Sequence, residues 1–122
     1  MRRLKLYAYD KNELKMVVLF RNQYLEDLQA GRKVMGKPQF SNPVITKFRK
    51  RVETMKLMAS TQEMYDLKSL HFEKLKGDLK GYYSVRINDQ YRIVMSIEKN
   101  EILVQEVEEI ITIEGLTNHY GD

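Results

Sequence analysis

The sequence predicts an α+β domain, an antiparallel twisted sheet with helices packed on one of its faces. Three observations point there. Side chains alternate between apolar and polar from Tyr82 to Met95 with a polar break in the middle, which is the period of a β-hairpin. From Val44 to Ala59 apolar residues recur at steps of three and four, the period of a helix with one buried face. The patterns run strand, helices, then an antiparallel meander, an order that segregates the helices on one face of the sheet.

Taken in order, Leu4, Leu6 and Ala8 alternate with Lys5 and Tyr7, Asp10 to Asn12 make a turn, and Leu14 to Phe20 is apolar and β-prone. The start therefore reads as a hairpin, with residues 1–15 an extension the core does not need. Asn22 caps a short helix over Gln23 to Gln29 that buries Tyr24, Leu25 and Leu28, and Gly31 closes it. A basic, glycine-punctuated loop, GRKVMGKPQF, leads to the main helix. Ser41 is its N-cap, and Pro43 sits in the first turn, where a missing N–H costs nothing. The helix is expected to run to about Ala59. Val44, Phe48, Val52, Met55 and Met58 or Ala59 form its core stripe, while Lys47, Arg49, Lys50, Arg51 and Lys56 take the remaining surface, either as a solvated face or as one that meets phosphates or a partner. A shorter helical segment over Thr61 to Leu70 turns Met64, Leu67 and Leu70 inward.

Phe72 to Met95 organises the rest. If Asn88, Asp89 and Gln90 form the turn, Ile87 faces Tyr91 and Val85 faces Ile93 on a wholly apolar face, and Arg86 lies directly across from Arg92 on the other. Like charges so placed cost up to roughly 1 kcal/mol, so an anion, either a ligand or a neighbouring carboxylate, belongs beside them. Glu98 to Asn100 read as the turn into a terminal strand from Ile102 to about Ile113. That register puts Glu106 or Glu108 opposite Arg92.

At 122 residues the chain reads as one domain, 1–122, long enough to bury about two thirds of its unfolded surface. The absence of cysteine excludes disulfides, thiolate chemistry and cysteine-bound zinc, and two histidines argue against a metal centre or other metal cofactor. The longest N-terminal apolar run, Met16 to Phe20, is too short for a signal peptide or a membrane span, so the protein reads as cytoplasmic with no membrane partner. All 21 Lys and Arg lie in residues 1–100, which carry a net +10, while residues 101–122 carry six acids and a net −6. Such a basic body fits either a nucleic-acid partner or a solvated surface.

The candidate functional residues surround the hairpin. Guanidinium forks at Arg86 and Arg92 suit the gripping of a phosphate and the charge of a pentacovalent phosphorus, with a cross-strand ion pair to the terminal acids as the other reading. Lys74, Lys76 and Lys80, interleaved with Gly77 and Gly81, bring cations on flexible backbone to a phosphate chain. Tyr82 has the chemistry to stack on bases, whereas Tyr83 and Tyr91 face the core. His119 beside Tyr120 is a proton shuttle or a solvated terminal histidine, and His71 reads as packed.

The stretch LHFEKLKGDLKGYYSVRINDQYRIV, followed by a strand and a terminal NHYG, resembles the RelE/ParE superfamily of bacterial toxins and is most similar to its HigB-like members. The likeness extends back through YLEDLQAGRKVMGKPQF and NPVITKFRKRVETMKLMAS, from about Phe20 to Gly121. It implies a RelE-like fold and the toxin of a type II toxin-antitoxin pair, a metal-independent mRNA interferase that cuts mRNA in the ribosomal A site. By the resemblance, Glu73 before Leu75 and Lys76, Arg92 in YRIV, and His119 with Tyr120 match the site of YoeB-like relatives, and Arg86 matches a basic strand position of RelE-like nucleases. The implied roles are Glu73 as base, Arg92 and Arg86 as phosphorane stabilisers, His119 as acid, Lys76 as phosphate contact and Tyr120 as a positioning group, with base and acid exchangeable. The implied partners are the ribosome with its mRNA and a HigA-like helix-turn-helix antitoxin, in an assembly such as a heterotetramer. ParE-like members of the same superfamily inhibit DNA gyrase instead, so the fold alone does not choose between them.

Overall fold

The computed structural model describes residues 16–103 and 106–118. The first fifteen residues, with the expected N-terminal hairpin and extension, lie outside the described residues. Strand β1 (Val17–Phe20) leads into α1 (Gln23–Ala30) and α2 (Asn42–Lys56), and then into the short α3 (Thr61–Asp66). After a 3-10 turn at Lys68–Leu70 come β2 (Glu73–Lys74), a second 3-10 turn at Gly77–Leu79, β3 (Tyr83–Arg86), β4 (Arg92–Leu103) and β5 (Glu106–Thr117). The five strands form one sheet in the order β1-β5-β4-β3-β2.

Local signals explain the helices. The Asn22 side chain accepts from the Leu25 N–H at 3.0 Å, and Gly31 ends α1 in the left-handed conformation, at φ 78°. The Ser41 hydroxyl accepts from the Val44 N–H at the start of α2. That helix stops at Lys56, short of Ala59, because the Leu57 and Met58 N–H groups bond to carbonyls only three residues back, tightening the last turn. The next segment breaks into α3 and the 3-10 turn at Leu67. As a result Met64 and Leu70 point inward, while Leu67 is 40% exposed rather than buried.

Helix α2 sets Phe48, Val52 and Met55, all fully buried, against Val85, Ile93, Met95, Ile111 and Ile113 of the sheet. The alternation read from the hairpin holds. Val85 pairs with Ile93 and Arg86 with Arg92, and the Ile87 N–H donates to the Tyr91 carbonyl at 2.9 Å. Tyr83 and Tyr91 are half-buried against the core, Tyr83 stacked on Phe72 at 5.5 Å and Tyr91 edge-on to Phe40 at 5.5 Å.

Two expectations about the C-terminal half are corrected. Glu98 to Asn100 do not turn. They continue β4 and pair with Ile110, Glu109 and Glu108, and the Lys99 ammonium lies 3.4 Å from the Glu109 carboxylate directly across the ladder. With the strands extended to Leu103 and Glu106, the register moves and Thr117, not Glu106 or Glu108, lies opposite Arg92. The second surprise is β1, which pairs in parallel with β5, Val17 to Ile110 through Phe20 to Ile113. The chain between them runs through the helices and then through β2, β3 and β4, so β1 and β5 are neighbours in the sheet though first and last in the strand sequence.

Candidate active site

The described helices pack on one face of the sheet, and rows of cross-strand neighbours on the other face define the site. One row reads Glu73, Ser84, Val94 and Gly115 across four strands; the next reads Arg86, Arg92 and Thr117. Side chains within a row share a face, so this topology gathers residues up to 44 apart in sequence into one surface.

Arg92 is the hub. Its side chain is only 8% exposed, its Nε donates to the Ser84 hydroxyl at 2.6 Å, and its terminal nitrogen lies 3.0 Å from the Glu73 carboxylate and donates to the His71 carbonyl. His71 is not packed as its apolar neighbours suggest. It adopts a left-handed conformation, φ 49°, which lets Leu70 and Phe72 both turn inward while the imidazole points to solvent and the carbonyl turns to Arg92. Glu73 stays 56% exposed, leaving the carboxylate accessible to a ligand. The cross-strand repulsion between the two arginines is relieved by separate carboxylates, Glu73 at Arg92 and Asp89 at Arg86.

Ser84 and the His71 carbonyl are contributions that sequence reasoning missed. Ser84 carried a usable signal, as a small hydroxyl on the arginine side of the alternation; the carbonyl carried none. The cationic approach is also more ordered than its glycines suggest. Leu75 N–H to Tyr82 carbonyl (2.9 Å) and Tyr82 N–H to Leu79 carbonyl (3.1 Å) tie its two ends, while Gly77 and Gly81 supply the positive φ values the turn requires. Lys74, Lys76 and Lys80 are all exposed around this loop at the β2 edge, Lys74 taking the face opposite Glu73 because it pairs with Tyr83, and Tyr82 is half-buried. His119 and Tyr120 lie outside the described residues. Among the described residues no group of three or more His, Asp or Glu side chains is placed to hold a metal ion.

The basic face of α2 is partly structural. Arg49 donates from Nε to the Leu28 carbonyl at 2.7 Å, at the negative end of α1, and Arg51 donates to the Arg86 carbonyl at 2.9 Å, bracing the end of β3.

The family model described as HigB-like toxin, RelE-like toxin of type II toxin-antitoxin system HigB, matches residues 18–108. Among solved structures the chain is similar to a YoeB/ParE toxin from Agrobacterium tumefaciens, at 17% identity over 86% of this chain and 100% of that one, with a TM-score of 0.52. It is also similar to the YoeB-YefM complex from Staphylococcus aureus, at 24% identity over 87% of this chain and 99% of that one, with a TM-score of 0.49. No curated protein matches the chain. Among the described residues no helix is long and apolar enough to cross a membrane.

Proposed function

The chain belongs to the HigB-like family of RelE-like type II toxins, and from that premise we propose that it is a ribosome-dependent mRNA endonuclease cutting in the decoding A site. The supporting observation is the exposed Glu73 carboxylate held 3.0 Å from the buried Arg92 guanidinium, at the margin of an open sheet face flanked by exposed lysines.

Cleavage of RNA needs no nucleophile from the protein. Glu73 takes the proton of a ribose 2′-OH, the 2′-oxygen attacks the adjacent phosphorus, and the 5′-oxygen departs with a proton from His119, leaving a 2′,3′-cyclic phosphate and a free 5′-hydroxyl. Arg92 fixes the orientation of the carboxylate and supplies positive charge beneath the phosphorane. Arg86, one strand away and more exposed, exchanges Asp89 for the phosphate. Lys76 holds the neighbouring phosphate and Tyr120 positions the leaving nucleotide. The partner that silences the toxin is an antitoxin, here a HigA-like helix-turn-helix protein.

Mapping of 5′ ends on a defined mRNA, with and without programmed ribosomes, tests this reading. Wild-type protein is expected to cut only in the decoding site of ribosome-bound message. Glu73→Gln lowers the rate by about 10²–10⁴-fold, the usual worth of a general base, and also lowers the melting transition, because the amide no longer offsets the buried Arg92 charge. Arg92→Ala abolishes the cuts. Folded, growth-arresting protein that makes no cuts and stops DNA replication before translation would move the assignment to gyrase inhibition.

A further inference from the structure

Beside the Glu73, Ser84 and Arg92 cluster, on the same open face, a groove of about 310 Å³ is lined by Leu79, Tyr82, Val94, Glu114, Gly115 and Thr117. Its floor continues the row that begins at Glu73, since Ser84 pairs with Val94 and Val94 with Gly115. Two strand spacings, roughly 10 Å, separate Gly115 from Ser84, within reach of a nucleotide neighbouring the one at Glu73.

Gly115 is the informative residue. It lies inside a long strand next to a bulge, where glycine weakens the sheet. Its φ is not among the positive ones, and among the described residues a Cβ placed there would meet no atom within 4 Å. Neither backbone geometry nor packing of the described residues demands glycine at this position. A side chain would instead project into the groove, so the missing Cβ keeps open a space that the described residues do not fill.

The walls are rigid and chemically distinct. Tyr82 and Leu79 are bound to each other through the backbone at 3.1 Å, presenting an aromatic ring and an apolar side chain over the Val94 floor. On the opposite rim the Arg21 guanidinium grips the Glu114 carboxylate with two bonds of 2.8 and 2.7 Å, and the Ser96 hydroxyl donates to it at 2.8 Å. These bonds hold Glu114 below the ordinary glutamate range. An aromatic wall, an apolar floor and a fixed acceptor at the rim are what a flat heterocycle with N–H groups on its edge requires.

We propose that this groove seats a nucleobase of the message next to the scissile phosphate, stacked on Tyr82 across the gap at Gly115 and read at its edge by Glu114. The inference rests on the ribonuclease reading and adds a selectivity element to it. Adenine, cytosine and guanine present amino groups to the carboxylate. Uracil presents its one N–H between two carbonyl oxygens, which the carboxylate repels.

The test compares wild-type, Gly115→Val and Glu114→Gln proteins on ribosomes programmed with a codon-randomised message, alongside titration of each protein, followed by NMR, with an uncleavable 2′-deoxy trinucleotide. Gly115→Val is expected to fold at least as stably as wild type, since valine favours strands, to raise KM about tenfold or more, and to lose the trinucleotide shifts at Tyr82 and Leu79. Glu114→Gln is expected to flatten the bias against uracil at one position. Wild-type rate and base preference in Gly115→Val would overturn the proposal and leave the nuclease standing. The same normal cleavage with lost neutralisation by the antitoxin would overturn it in favour of a peptide occupant. If wild type makes no cuts at all, the nuclease reading fails and the titration alone decides: shifts at the groove uphold base binding, and their absence refutes it.

Discussion

At the scale of single residues, the site turns on how one buried cation is satisfied. An arginine with only 8% of its side chain exposed needs partners for its donors, and Arg92 finds them in a hydroxyl from β3 and in a carbonyl and a carboxylate from the stretch His71 to Glu73. Removing the hydroxyl is therefore expected to do more than its size suggests. Ser84→Ala leaves the Nε–H without its acceptor in a fully buried setting and should destabilise the fold by about 1–3 kcal/mol, the cost of an unsatisfied buried donor, measurable as a lower denaturant midpoint at unchanged slope. The sequence exposed the Arg86 and Arg92 pairing through strict alternation, and even required that an anion, a ligand or a carboxylate, stand near them. It did not identify Glu73 as the one for Arg92 on pattern alone, because a two-residue edge strand carries too little period to place. That residue came from resemblance to known toxins.

At the scale of elements, two carboxylates of β5 tie distant pieces to the sheet. Glu109 is buried and accepts from the Thr61 N–H at 2.6 Å and the Thr61 hydroxyl at 2.8 Å, acting as the cap of α3 that Ser60 does not provide. Glu109→Ala should cost about 1.5–3 kcal/mol and show first as loss of hydrogen-exchange protection in α3. Glu114 anchors Arg21, just beyond β1. The Arg21 guanidinium, aided by the Ser96 hydroxyl, depresses the Glu114 carboxyl, so its stabilisation is present above the unfolded glutamate value near pH 4.3 and is lost as pH falls through the lower folded value. Denaturation midpoints followed from about pH 6 to pH 3 should fall more steeply in wild type than in Arg21→Ala. The helix caps at Asn22, Ser41 and Gly31 were legible because capping is local chemistry. The long β4–β5 ladder was not. Glu98, Lys99 and Asn100 look like turn residues in isolation, and only their partners across the ladder make them strand.

At the scale of the whole molecule, the helical layer on one face leaves the other free, and the sheet gathers its chemistry there. The first hundred residues carry a net +10, and exposed lysines flank the site. Association with ribosomes is accordingly expected to weaken steeply as salt rises, with a logarithmic slope that drops by roughly 0.7–0.9 for each phosphate-contacting lysine replaced. Sedimentation of Lys76→Ala and wild-type protein with ribosomes over a salt series measures it; parallel slopes would remove Lys76 from the interface.

Hydrophobic period and capping chemistry are written over a few consecutive residues, so the sequence by itself determined the α+β class, the core stripe of α2, the hairpin register and the opposition of the two arginines. Parallel pairing of β1 with β5, the twelve-residue reach of β4, the left-handed turn at His71 and the groove at Gly115 were decided only by tertiary structure. Each depends on what lies across a strand or under a helix, and a contact between residues dozens of positions apart leaves no period in the chain.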